Sequence, residues 1–200
     1  YMSYITEAIN KWGKCRTGAI TMYGAGVGVY GNSGYAYTGS TPSKLKKRIE
    51  EANSSNAEIT DINITENGNY VIILGGSGYW TLGYPDAFLK KLEQYRTGDL
   101  RDDNILSACF NDRGEWVVIT DKHYSYSNET IKNFILKAEE LYEEVYYAYI
   151  TNYGMIACCK NGVYYKNIPS NLAEALKKLT FKPKVIKFTD NGLYLITDGE

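Results

Sequence analysis

The residues best suited to covalent chemistry in this chain are a single histidine, His123, and four cysteines, Cys15, Cys109, Cys158 and Cys159. A cysteine within hydrogen-bond reach of an imidazole can be activated as a thiolate nucleophile, so Cys159 with His123 is the most concrete covalent pairing the sequence offers. The competing reading is structural. The cysteines sit on strand-like segments without metal-ligand spacing, which suits small buried hydrophobes, and His123 lies beside Lys122 on a polar turn, as solvated histidines do. The sequence carries no phosphate loop, nucleophile elbow or paired metal ligands. No cofactor or metal is therefore expected.

Binding chemistry is better represented. Twenty tyrosines stand against five phenylalanines, with 19 glycines. A tyrosine buries its ring and keeps a polar tip, which serves half-wet sheets and also the recognition of glycans or polar protein surfaces. Candidate ligand-binding residues are Asn32, Tyr35, Tyr79, Trp80, His123, Tyr124, Asn161 and Tyr165, all on or just behind a set of short polar turns. The alternative for each aromatic is that it packs a helix onto a sheet. Lys44–Arg48 is followed at once by Glu50 and Glu51, and Glu139, Glu140, Glu143 and Glu144 stand in one helical stretch, so both runs read as solvated helix faces.

Global charge narrows the partners. Twenty-two basic and 23 acidic residues leave a net charge of -1, which supplies no field for nucleic acid. Apolar runs such as Val71–Leu74 are far below the ~20 residues needed to span a bilayer, so no membrane insertion is expected. The expected partner is a polar small molecule, a glycan or a protein. The start, Tyr1-Met2, leaves upstream residues and the compartment open.

The elements that position these residues are set by an internal repeat. A pattern of apolar residue, Thr or Asn, two variable residues and Gly recurs at Ile20–Gly24, Ile64–Gly68, Phe110–Gly114, Ile150–Gly154 and Phe188–Gly192. Its glycines lie 44, 46, 40 and 38 residues apart. Alternation before each copy predicts a first strand, the glycine a hairpin turn, and an apolar run after it a second strand. A further turn leads to a tyrosine-rich third strand. Helical spacing then begins after Thr41-Pro42, Pro85, Asn128 and Pro169, which offer capping oxygens or a first-turn proline.

The units so defined cover about 15–51, 58–98, 104–145 and 146–180, and a fifth, 184–200, stops after its second strand. The missing parts match the N-terminus: Tyr1–Trp12, at 1–14, parallels the strand and capped helix of Tyr124–Phe134. A split unit predicts that first and last repeats share a sheet, with Tyr1–Ile5 pairing against Leu193–Ile196, and so favours a closed ring over an open solenoid. The predicted fold is α+β, a single domain with a five-fold pseudo-symmetric ring of βββα repeats, the last completed by the N-terminal strand and helix.

Repeat number and element order together resemble the α/β-propeller of the pentein superfamily, across the whole chain. That resemblance implies a Cys nucleophile, a His and acidic residues around the ring axis, for which this chain offers Cys159, His123 and Asp121. The repeat, with Trp116 two residues after its turn glycine and Gly78-Tyr79 later in a unit, also resembles repeats of uncharacterised bacterial proteins. The leading expectation is a non-catalytic binding or scaffold ring that meets a polar ligand through one rim of turns. The alternative is a pentein-like Cys/His hydrolase or transferase.

Overall fold

The computed structural model describes residues 14–200, so the strand and helix expected within Tyr1–Trp12 lie outside the described residues. Unit one contains β1 (Thr17–Ile20), β2 (Gly26–Tyr30), β3 (Gly34–Tyr37) and α1 (Ser43–Ser54). Unit two contains β4 (Ile59–Ile64), β5 (Tyr70–Leu74), a short 3-10 turn, β6 (Tyr79–Leu82) and α2 (Asp86–Arg96). Unit three contains β7 (Ile105–Phe110), β8 (Trp116–Thr120), β9 (Tyr124–Tyr126) and α3 (Glu129–Tyr142). Unit four contains β10 (Val145–Ile150), β11 (Met155–Cys159), β12 (Gly162–Lys166) and α4 (Ser170–Lys177), and unit five contains β13 (Val185–Phe188) and β14 (Tyr194–Thr197).

Each unit folds as a small antiparallel sheet in chain order, giving four sheets of three strands and one of two among the described residues. The repeat glycines do the work expected of them at four of five turns. Gly24, Gly68, Gly114 and Gly192 have φ between 77° and 101°, the left-handed region that side chains resist. Unit four differs. Ile150 pairs with Met155, whereas Ile64 pairs with Tyr70, so this hairpin is one residue shorter. Gly154 is required there for space: an added Cβ would lie 2.5 Å from the Asn167 carbonyl oxygen and 3.0 Å from the Phe188 ring.

The helix starts divide in the same way. Asn128 caps α3, its side-chain oxygen accepting from Ile131 N at 2.9 Å. Pro42, Pro85 and Pro169 stand one residue before their helices, with ψ of 137°, 143° and 144°, rather than inside the first turn. Thr41 does not cap. Its hydroxyl clasps the start of β2, accepting from Gly26 N at 3.2 Å and donating to Gly26 O at 2.9 Å.

Packing follows from each helix having one apolar stripe and two sheets to cover. Leu45, Ile49 and Ala52 of α1 pack with Val27 and Val29 of their own sheet and with Ile62, Ile64 and Ile72 of the next. Phe88, Leu92 and Tyr95 of α2 join Val71 and Ile73 to Ala108, Trp116 and Val118 in the same manner. Each burial of a large apolar side chain contributes about 1.5–3 kcal/mol, so the wedge helices bind neighbouring units to one another. None of the described helices is long and apolar enough to cross a membrane.

The first strands of successive units lie side by side, β1 with β4, β4 with β7, β7 with β10 and β10 with β13, and β13 also lies against β1. They remain in separate sheets. Unit five reaches unit one through Leu195 packed on Ile20, through Thr197 Oγ1 donating to Arg16 O at 2.7 Å, and through a Lys14–Asp198 ion pair.

Candidate functional site

The inner faces of the first strands are built by an irregularity that recurs. Bulges between Ile59 and Asp61, Ile105 and Ser107, and Val145 and Tyr147 shift the register at the same place in three units. Beyond the bulge, Asp61, Asn63, Ser107 and Cys109 turn toward the next unit while Ile62 and Ile64 stay in the helix layer. These side chains satisfy the backbone that no ladder satisfies. Asp61 Oδ2 accepts from Ala108 N at 3.0 Å, Asn63 Nδ2 donates to Ala108 O at 2.7 Å, and Ser107 Oγ accepts from Ala148 N at 3.2 Å.

Lys187 of β13 is the most unexpected member of this column, with 0% side-chain exposure. Its Nζ donates to Asp61 Oδ1 at 2.8 Å, Ile62 O at 2.6 Å and Asn63 Oδ1 at 2.7 Å, which uses all three ammonium protons. The rings of Tyr147 and Tyr149 stand 5.7 Å from Nζ. The interior where first strands converge is thus filled by a lysine, two tyrosines and a carboxylate. Sequence reasoning passed over Lys187. The available signal was a lysine in Val185-Ile186-Lys187-Phe188, at the place other units give to Ala19, Asn63, Cys109 and Tyr149.

The residues expected for covalent chemistry have separate partners. Cys159 is buried and its Sγ points to Ala138 O at 3.9 Å; burial, helped by Glu139, pushes its pKa up to about 11. Burial likewise pushes Cys109 up to about 12 and raises Cys15 and Cys158. The thiolate is therefore scarce at neutral pH at every cysteine. His123, 51% exposed, bonds through Nδ1 to Asp103, which is 4% exposed. Burial alone would raise the pKa of Asp103, but the Thr120 hydroxyl and His123 together hold it below the ordinary carboxylate value. Asp121 accepts from Asn104 N at 2.9 Å and Asn104 Nδ2 at 3.2 Å.

The rim expected to bind ligand is formed by the turns between second and third strands. Asn32, His123 and Asn161 are exposed there, whereas Tyr165, also exposed, pairs with Ile156 at the far end of β12, toward the hairpin tips and not on this rim. The aromatics behind them serve packing. Tyr35 stacks on Tyr37 at 5.4 Å, Tyr79 donates to Glu93 of α2 under the Arg96 guanidinium, and Tyr124 donates to Glu139 of α3 at 2.6 Å. Trp80 is half-buried against the α1 cluster, with the Arg48 guanidinium 4.9 Å from its ring. The turns also tie units together: Asn32 O accepts from Ile59 N at 2.8 Å, and Ser77 Oγ accepts from Ile105 N at 3.1 Å.

The opposite end, formed by the tips of the repeat hairpins, carries a second surface. Three carboxylates occupy the third position of the repeat, Glu66, Asp112 and Asp190, alongside Met22 and Asn152. They knit the tips together. Glu66 Oε1 accepts from Met22 N at 2.8 Å, Asn152 Oδ1 from Asp112 N at 3.0 Å, and Asp190 Oδ1 from Thr151 Oγ1 at 2.6 Å. Burial raises the pKa of Glu66, and the charges of Asp112 and Asp190 add to that rise. Beneath them a cavity of about 20 Å³, room for one water, is shared by residues of four units, including Asn63, Cys109, Tyr149 and Phe188.

Beside that cavity, a groove of about 200 Å³ runs between units three and four, lined by Arg113, Glu115, Asn152, Tyr153, Lys166 and Asn167. Tyr153 is 71% exposed and Tyr23, on another tip, 44%. Among the described residues, no three His, Cys, Asp or Glu side chains are grouped to hold a metal ion. No protein-family model, curated protein or solved structure matches the chain.

Proposed function

We propose that the five units close into a pentein-like ring and that the protein acts as a non-catalytic binding scaffold, meeting a glycan through one of its two turn-bearing ends. Closure is supported by β13 lying against both β10 and β1, and by the contacts of Leu195, Thr197 and Asp198 with unit one. A binding role rather than catalysis is supported by the filled interior around Lys187 and by four buried cysteines of raised pKa.

The observation that carries the binding reading is Tyr153, 71% exposed at the edge of a polar groove. The aromatics behind the other rim are engaged with helices, whereas Tyr153 is available to stack on a sugar face. Asn152, Asn167, Glu115 and Arg113 around it offer donors and acceptors for hydroxyl groups.

The test is titration of the protein with a panel of neutral and acidic oligosaccharides, followed by amide chemical shifts. Tyr153→Ala should abolish the shifts of a binding sugar, a loss of at least 1 kcal/mol of affinity, while unfolding stability changes by less than ~0.5 kcal/mol. Sugar-induced shifts that persist in Tyr153→Ala, or that cluster on Asn32, His123 and Asn161, would move the site to the other rim.

A further inference from the structure

We propose that Lys187 and Asn63 react with each other to form an intramolecular amide cross-link, with Asp61 as the proton carrier. Three features of the interior point to it. The nucleophile and electrophile are already in contact, Lys187 Nζ lying 2.7 Å from Asn63 Oδ1. One carboxyl group spans both ends of the reaction, Asp61 Oδ1 at 2.8 Å from Nζ and Asp61 Oδ2 at 3.1 Å from Asn63 Nδ2, the nitrogen that must leave. The three residues are 0%, 5% and 1% exposed and are flanked by the rings of Tyr147 and Tyr149, which shields the acyl centre from bulk water.

The chemistry needs no oxidant, metal or co-substrate. Asp61 Oδ1, 2.8 Å from Nζ, takes a proton from the ammonium. The freed amine lone pair attacks Cγ of Asn63, and Asp61 returns a proton toward the amide as the tetrahedral centre forms and collapses. The Cγ–Nδ2 bond breaks, the Cγ–Nζ bond remains, and the nitrogen departs with its protons as ammonium. Lysine ammonium plus asparagine amide thus gives a secondary amide plus ammonium, with Asp61 regenerated. Fixed contact of the reacting groups replaces a bimolecular encounter by one with an effective concentration of roughly 10⁵ M or more, which is how so weak an electrophile as a carboxamide can react.

The product would join β4 of unit two to β13 of unit five across the interior, residues 124 apart in sequence. A cross-link closing so long a loop removes chain freedom from the unfolded state, and would pin the last unit to the body of the molecule.

Intact mass spectrometry of the purified, denatured protein tests the proposal without any variant. The expected result is a chain lighter by one ammonia, ~17 Da, with the loss mapped after digestion to a branched species containing both Asn63 and Lys187. Lys187→Arg and Asp61→Asn should each restore the full mass. A wild-type chain at full mass overturns the proposal. So does the same loss mapped to Asn67-Gly68 or Asn191-Gly192, where a succinimide would be lighter by the same amount, is cleaved by hydroxylamine and carries no branch.

Discussion

Trp80→Ala separates a packing role from a binding one. Trp80 lies on β6 opposite Ile72, which is fully buried, and its ring covers the cluster built around Leu45 and Ile49 of α1. Truncating a fully buried aromatic to alanine costs about 3–5 kcal/mol, and a half-buried ring loses roughly half of that, ~2 kcal/mol. The Arg48 guanidinium, 4.9 Å from the ring centre, adds ~0.5–1 kcal/mol as a cation–π contact near the surface. The expected loss is therefore ~2–3 kcal/mol, equivalent to a fall in melting temperature of about 5–10 °C for a chain of this size. Urea unfolding should show a lower midpoint with an unchanged slope. Arg48→Ala and the double variant complete a cycle whose coupling should be ~0.5–1 kcal/mol; Arg48 also bonds Glu51 at 3.1 Å, which the cycle cancels. A loss below ~0.5 kcal/mol, the range of ordinary surface substitutions, would refute the packing argument and leave Trp80 free for a ligand.

Two further outcomes follow from the titratable groups. Asp103 is held below its ordinary pKa by Thr120 and His123, so its contribution to stability is complete above the unfolded carboxylate value of about 3.9 and is lost as pH falls toward the lower folded value. The stability gap between wild type and Asp103→Asn, followed by thermal unfolding from pH 6 to pH 3, should shrink only below about pH 4; a gap constant over that range would show that the carboxylate has no such role. All four cysteines should react slowly with iodoacetamide in the native protein at neutral pH, Cys159 no faster than Cys109, because burial opposes each thiolate. Selective labelling of Cys159 would return the Cys/His hydrolase reading.

The strand and helix order was legible because it is written locally. Alternation at Ile62 and Ile64 and helical spacing at Phe88 and Leu92 mark their elements without reference to any other unit, and Asn128 announces its own cap. Two local signals misled by one residue. The prolines share a place in the repeat with Asn128 and take its capping position, and Gly154 keeps its place in the pattern although its hairpin is shorter.

What sequence could not reveal is which side chains answer distant backbone. Asn63 bonds Ala108, 45 residues on, and Lys187 bonds Asp61, 126 residues back; a polar residue in an alternating strand looks the same whether it meets water or another unit. The same ambiguity hid the tyrosines. Tyr79 and Tyr124 reach helix carboxylates 14 and 15 residues away, so their hydroxyls were readable as free only until the helices were placed beside them. The tip surface had a signal in the sequence, since Glu66, Asp112 and Asp190 share one position of the repeat, but the cavity beneath it depends on how the hairpins of four units converge.

Ring closure is tested most directly where unit five meets unit one, at Ile20 and Leu195, 2% and 6% exposed and packed together. Ile20→Ala, Leu195→Ala and the double variant should be compared by urea unfolding. If the ring closes, each single substitution loses ~2–4 kcal/mol and the pair is non-additive by at least ~0.5 kcal/mol, because the second truncation removes a contact already lost. Effects that add to within ~0.3 kcal/mol would place the two residues out of contact and contradict a closed ring.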